Sequence, residues 1–257
     1  MTNQDALFSV AGHGIIVTGA ASGIGKAIAC GMSARGALVT ALDVNETGLR
    51  ELAKLPGNER MRTVTGDAAN ERVINDLLAG HLQAFGRLDS VFANAGVAGP
   101  MVPTDQLSLD DFQRVQRINV ESGFLLARAA IPVFRAAGRG RIIFTSSVWG
   151  VRGESSAPIT SYATSKGAVS NLTRQLAVEL ASERINVNAI LPAAIETAIA
   201  DGFYENTDAV GALLRHVPAG RIVGPEAVCG TAVFLASEAS DWVTGQLLAV
   251  DGGYLAV

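Results

Sequence analysis

Tyr162-Ala163-Thr164-Ser165-Lys166 follows, after a short interval, a serine pair, Ser146-Ser147, that closes an apolar run. Four residues make about one helical turn, so on a helix the phenol and the ammonium share a face. A free tyrosine titrates near ~10 and is a poor base at neutral pH. A neighbouring Lys⁺ favours the phenolate and lowers that value. A serine hydroxyl placed opposite would hold the substrate oxygen from which the phenolate takes a proton. Such a trio moves a proton on or off an alcohol. The Tyr-x-x-x-Lys spacing alone arises by chance on many surface helices, so its meaning rests on the rest of the chain.

A second chemical signal lies at Thr18-Gly19-Ala20-Ala21-Ser22-Gly23-Ile24-Gly25, between a short apolar run and a helical pattern. Gly19 permits a sharp turn off a strand, and Gly23 and Gly25 let a diphosphate approach the backbone and the helix pack closely. A helix N-terminus there offers free N–H groups and partial positive charge. No Gly-Lys-Ser/Thr follows, which disfavours a P-loop nucleotidase. Asp43 ends the next apolar run, where a carboxylate would accept hydrogen bonds from the adenosine ribose hydroxyls. That charge would repel a 2′-phosphate, and neither Val44 nor Asn45 supplies an arginine to offset it, so NAD is expected over NADP. The alternative for Asp43 is a strand-end residue that starts a turn or caps the following helix.

The elements that would position these groups follow an alternating pattern. Strands are expected at Ile15–Val17, Ala37–Asp43, Met61–Thr65, Leu88–Ala93, Arg141–Thr145, Ile185–Ile190 and Leu247–Val250. Helices are expected at Ile24–Arg35 and Glu71–Phe85. A further helix starts at Ser108, with Asp111 in the capping-box position, and runs to about Ala137 with a kink or interruption at Pro132. Continuous apolar strands alternating with helices imply a parallel sheet covered on both faces. The expected fold is therefore α/β: a single Rossmann-like, doubly wound parallel sheet of about seven strands. Residues 1–257 read as one domain, with a substrate loop at about 194–215.

Composition narrows the function classes. Of 257 residues 49% are hydrophobic and 17% charged, which fits a packed globular chain. A net charge of −4 argues against a nucleic-acid partner. The two cysteines, Cys30 and Cys229, lack metal-ligand spacing and the three histidines are scattered, so no metal is expected. Met1 to Ser9 does not read as a signal peptide, and no apolar run is long enough for a membrane span. A cytoplasmic protein with no membrane partner is expected.

With loop, carboxylate and Tyr-x-x-x-Lys in order, the chain resembles the classical short-chain dehydrogenase/reductase family from about Gly14 to Tyr254. Thr18 to Gly25 matches the cofactor loop. Gly66-Asp67-Ala68 matches the segment that holds the adenine, and Asn94-Ala95-Gly96 the turn that borders the nicotinamide ribose. Asn119, in Arg117-Ile118-Asn119-Val120, matches an asparagine that bends a helix and holds a water on the proton relay. Ser147 matches the catalytic serine, and Asn188 to Pro192 with Thr197 the carboxamide-binding segment. Gly224-Pro225-Glu226, Thr244-Gly245-Gln246 and Asp251-Gly252-Gly253 are similar to later landmarks.

The resemblance implies an NAD-dependent oxidoreductase that interconverts a secondary alcohol and a ketone by hydride transfer. Its catalytic residues would be Asn119, Ser147, Tyr162 and Lys166. Cofactor-binding residues would be Gly19, Ser22, Gly23, Ile24, Gly25, Asp43, Asp67, Ala68, Asn94, Gly96, Tyr162, Lys166, Pro192, Ile195 and Thr197. The substrate, a small or medium alcohol or ketone such as a sugar, polyol or cyclic alcohol, would meet Ser147, Trp149, Ile159 and Ala194. Val97, Val148, Arg152 and Glu154 are further pocket candidates, the two charges reading more simply as a solvated loop. Ala193 stands where the family usually has glycine after proline, and is expected to shift the backbone there through lost freedom at positive φ. The resemblance also implies a homotetramer. A non-catalytic dinucleotide sensor or scaffold is the competing reading, disfavoured because the full Ser-Tyr-Lys set is present. Lyase or epimerase chemistry is disfavoured by the lack of an added substrate domain.

Overall fold

The structure is a computed structural model that describes residues 6–155, 157–197 and 207–257. Seven strands, β1 (Gly14–Thr18), β2 (Leu38–Asp43), β3 (Arg62–Thr65), β4 (Ser90–Ala93), β5 (Gly140–Thr145), β6 (Ile185–Pro192) and β7 (Leu247–Val250), form one sheet. Its order is β3-β2-β1-β4-β5-β6-β7, and every neighbouring pair is parallel. Alternate residues of each strand feed opposite layers, as the two-residue period of a strand requires. Ile15, Val17, Val39, Ala41 and Ile143 pack with Ile28 and Met32 of helix α1 (Gly23–Ser33) and with Leu49 and Leu52 of helix α2 (Glu46–Ala53). Ile16, Leu42, Val91, Ile142 and Val187 pack on the other face. Their partners there are helix α3 (Glu71–Phe85), helix α5 (Ser122–Ala137) and helix α6 (Thr160–Leu180). Burial on both faces explains why these strands read as continuous apolar runs.

Chain order runs outward from β1 to β3 and then returns, so β4 lies beside β1. Ligands of open parallel sheets bind at such a reversal, outside the carboxyl ends of the strands. Here those ends carry Thr18, Asp43, Ala93 and Thr145, and the residues just beyond them form the cleft described below.

Three local features depart from the sequence expectation. Helix α2 had no bounds in the sequence expectation, being short and charged; Asn45, not Asp43, caps it by accepting from the Gly48 N–H at 3.0 Å. The long helix expected from Ser108 is broken at Arg117–Glu121 by a π turn, between α4 (Leu109–Gln116) and α5. Pro132 does not interrupt it: it lies on the exposed side of α5, so the carbonyl that loses its partner one turn earlier faces water. At the start of α4, Ser108 caps by accepting from the Asp111 N–H. The Asp111 carboxylate in turn accepts from the Ser108 hydroxyl.

Candidate active site

The α1 N-terminus is built for an anion. Gly19 and Gly23 hold φ of 67° and 51°, left-handed values that favour glycine. A Cβ on Gly25 would meet the Gly19 carbonyl oxygen at 2.0 Å, so this glycine serves close packing and does not itself line the cleft. Ser22 makes no side-chain capping bond, and the first turn holds no acidic residue. The first N–H groups of α1 are thus left for another acceptor, as a diphosphate would be. Asn94 locks the loop from behind, donating from Nδ2 to the Thr18 and Gly19 carbonyls at 3.2 Å each.

Two carboxylates lie farther along the same cleft. Asp43 accepts from the Ala21 N–H and from the Asn45 N–H, each at 2.9 Å, which fixes its plane at the end of β2. Asp67 accepts from the Ala69 N–H at 2.8 Å and from the Arg117 guanidinium at 2.7 Å. Partial burial raises the Asp67 pKa, but the Arg117 and Ala69 hydrogen bonds outweigh it and leave the group below its ordinary value. Ala68 stands beside it in the cleft wall.

At the opposite end the Tyr-x-x-x-Lys pair sits in the first two turns of α6, beside the end of β5. The Lys166 ammonium donates to the Thr145 carbonyl at 2.8 Å and lies 5.5 Å from the Tyr162 ring centroid. Lys166 is buried, and burial pushes its pKa down to about 8. The two adjacent serines divide their work. Ser146 donates to the Lys166 carbonyl or Ser170 hydroxyl, each at 2.8 Å, and so ties β5 to α6. Ser147 lines the cleft and caps the turn Val148–Gly150 by accepting from the Trp149 N–H at 3.3 Å. Trp149 stands edge-on to Tyr162, with ring centroids 6.2 Å apart and planes at 70°.

Asn119 sits inside the π turn and is buried. Its Oδ1 accepts from the Val97 N–H at 2.7 Å, and its Nδ2 donates to the Val97 carbonyl and the Ser165 hydroxyl, each at 2.9 Å. The side chain is thus committed to clamping the strand-end loop against α6. π turns inside helices concentrate at functional sites.

Of the residues singled out in the sequence, Gly19, Ser22, Gly23, Ile24, Asp43, Asp67, Ala68, Asn94 and Gly96 converge on one cleft of about 440 Å³. Ser147, Trp149, Ile159, Tyr162, Lys166, Pro192, Ala194, Ile195 and Thr197 complete it. Val97 and Glu154 also line it. Val148 does not: it is fully buried in the core. Arg152 does not line it either, because its guanidinium donates to the Tyr254 and Val257 carbonyls at 3.0 Å. Ala193 is another correction. Its φ is not positive, so no freedom at positive φ is lost there, and the left-handed residue is the next one, Ala194, at φ 50°. Of the substrate loop expected at about 194–215, residues 198–206 lie outside the described residues, as do Ser156 and Met1 to Asp5.

Sequence reasoning missed Arg117 as a partner of Asp67, Ser165 as a support for Asn119, and Tyr254 behind Trp149. Arg117 is two residues from Asn119, and a cation beside a motif residue is a usable signal. Tyr254 carried none beyond its place after Gly252-Gly253. Among the described residues no His, Cys, Asp and Glu groups are placed to hold a metal, and no helix is long and apolar enough to cross a membrane.

A glycine loop, a helix N-terminus with unused N–H groups and a Ser-Tyr-Lys cluster stand around one cleft of a Rossmann-type sheet. A family model described as enoyl-(acyl carrier protein) reductase matches residues 19–255. The chain is 38% identical to cis-4-hydroxycyclohexanecarboxylate dehydrogenase of Sinomonas cyclohexanicum over 244 residues, 94% of this chain and 96% of that protein. A Beutenbergia cavernae structure with bound NADP, provisionally assigned as an NAD(P)-dependent gluconate 5-dehydrogenase, superposes with a TM-score of 0.88 at 36% identity. It covers 98% of this chain and 100% of its own. A 3-ketoacyl-(acyl-carrier-protein) reductase of Brucella melitensis, complexed with NADH, gives a TM-score of 0.88 at 28% identity, covering 96% and 99%. The chain belongs to the short-chain dehydrogenase/reductase family.

Proposed function

We propose that the protein is an NAD-dependent dehydrogenase/reductase that interconverts a secondary alcohol and its ketone, with Tyr162 as general acid/base. The observation that carries this reading is the Lys166 ammonium, buried and held 5.5 Å from the Tyr162 ring at the end of the cleft opposite Asp43. The cofactor supplies a hydride acceptor or donor when bound. Gly19, Ser22, Gly23, Ile24 and the α1 N-terminus would hold its diphosphate, and Asp67 with Ala68 its adenine. Asn94, Gly96, Lys166, Pro192, Ile195 and Thr197 would border its nicotinamide half.

In the oxidising direction the Tyr162 phenolate takes the proton of the substrate hydroxyl, leaving that oxygen to become a carbonyl; in the reducing direction the phenol returns it. The Lys166 charge favours the phenolate, because an opposite charge nearby stabilises the ionised form. Ser147 donates a hydrogen bond to the substrate oxygen and orients it. Asn119 keeps the Val97 loop and Ser165 in place, so that a water beside Lys166 can carry the proton outward. Asp43 favours the unsubstituted ribose of NAD: its carboxylate accepts from ribose hydroxyls and repels a phosphate ester. Neighbours of this fold carry either NADP or NADH, so this choice rests on Asp43.

Within the same reading the chain works as one domain in the cytoplasm. Its free thiols Cys30 and Cys229 suit a reducing compartment. The exposed Phe124 on α5 and Val178 on α6 support pairing of those helices in a homotetramer, which sedimentation would report. A non-catalytic sensor would retain the cleft without turnover. The deciding experiment is absorbance at 340 nm with NAD or NADP and a panel of secondary alcohols. NAD-linked reduction is expected, and no turnover across the panel would overturn the assignment.

A further inference from the structure

Tyr254, three residues before the final Val257, is buried behind the cleft wall. Its hydroxyl lies 3.2 Å from Trp149 Nε1 and 3.0 Å from Glu154 Oε2. An indole N–H can only donate, so the tyrosine oxygen must accept there, and its own proton is left for the carboxylate. The direction of both bonds is thereby set. Arg152 stacks 5.0 Å over the Tyr254 ring and fastens the Tyr254 and Val257 carbonyls, and His216 meets the ring edge at 6.1 Å. The C-terminal segment thus holds both Trp149, which abuts Tyr162, and Glu154, which lines the cleft on the same side.

We propose that Tyr254 and Glu154 form a specificity device: the tyrosine positions the Glu154 carboxylate at the substrate end of the cleft, where it selects neutral substrates bearing a second hydroxyl and disfavours those bearing a carboxylate. The proposal rests on the dehydrogenase reading above. A carboxylate accepts strongly from hydroxyl groups and repels a second carboxylate. The cation nearest to this pair, Arg152, lies outside the cleft lining, stacked over the Tyr254 ring and held on the Tyr254 and Val257 carbonyls. Among the described residues that line the cleft, Lys166 is bonded to Thr145 beneath Tyr162, and Arg117 is paired with Asp67 at the far end. Trp149, Ala157, Ile159 and Leu213 supply apolar surface for a compact carbon skeleton between the two polar ends.

A matched pair of probes tests this: cis-1,4-cyclohexanediol and cis-4-hydroxycyclohexanecarboxylate, titrated calorimetrically into protein saturated with NADH, which blocks alcohol oxidation. The diol is expected to bind about tenfold or more tightly than the hydroxy acid. Glu154→Gln, which keeps the shape and removes the charge, should bring the two affinities within about threefold, chiefly by a gain for the acid. Tyr254→Phe should weaken the diol about threefold to tenfold and raise KM while kcat changes by less than about threefold, the signature of positioning rather than chemistry. Equal or tighter binding of the acid by the unmodified protein, an unchanged ratio in Glu154→Gln, or binding of neither probe would each overturn the proposal. Intact preference without any NAD-linked turnover would instead count against the dehydrogenase reading alone.

Discussion

The Lys166 ammonium lies 5.5 Å from the centroid of the Tyr162 ring, anchored at 2.8 Å to the Thr145 carbonyl at the end of β5. A surface lysine would wander; this one is buried, and one strong acceptor fixes where its charge sits. The cost is desolvation, which lowers its pKa to about 8 from an unfolded value near ~10.4.

That shift has a stability consequence with a definite sign. Between the two values the unfolded chain holds the proton and the folded chain does not, so stability rises with pH in this window. Below pH about 8 both states are charged and the burial cost is felt in full. From pH 7 to 9 the protein without bound nucleotide should gain about 1 kcal/mol relative to a Lys166→Met variant, read from urea midpoints. A constant difference between the two would contradict the buried-ammonium assignment.

Asp43 should decide the nucleotide. Asp43→Asn keeps an acceptor for the Ala21 N–H but removes the charge, so the ratio of kcat/KM for NAD over NADP should fall about tenfold or more. A ratio that stays put would mean that another group reads the ribose.

The neighbouring serines should separate stability from turnover. Ser146→Ala leaves the buried Ser170 hydroxyl without its Ser146 partner and should cost about 1–3 kcal/mol on thermal or urea unfolding. Ser147→Ala should leave stability within about 1 kcal/mol, its loss being a weak cap. It should nevertheless lower kcat by about 10²–10³, as removal of an oxyanion donor does. Reversal of the two phenotypes would reassign the roles.

His81 offers an acid-side test of the scaffold. It bridges the Thr40 hydroxyl at 2.8 Å and the Arg87 carbonyl at 3.0 Å. Burial pushes its pKa down to about 4, despite an opposing contribution from the Arg87 hydrogen bond. The folded state therefore holds a neutral imidazole while the unfolded one takes a proton below about 6.5. Stability should be complete above that value and fall by about 2 kcal/mol on going from pH 7.5 to 5. His81→Gln should flatten that slope in paired denaturation curves; an equally steep slope would place the acid sensitivity elsewhere.

What was legible in the sequence was local. The glycine loop, Asp43 and the Tyr162–Lys166 spacing are short-range patterns at strand ends and on one helix, and all of them converge on the cleft. The π turn at Arg117–Glu121 was not legible as such, because one extra residue in a helical turn leaves the apolar pattern nearly intact, and Pro132 drew attention instead. Family resemblance singled out Ser147, but that Ser146 ties β5 to α6 became visible only in the packing of the two elements. The Trp149–Tyr254 bond joins residues 105 apart, so no local pattern could announce it.

The central claim is that Tyr162 carries the proton while other residues hold the nucleotide. The most direct measurement is turnover of a responsive alcohol by Tyr162→Phe alongside its NAD affinity. The phenyl ring preserves the edge-on packing with Trp149 and lacks only the hydroxyl. A fall in kcat of about 10³ or more, with Kd for NAD within about threefold, is the expected result. Turnover within tenfold of the unmodified protein would contradict the assignment of Tyr162 as the acid/base.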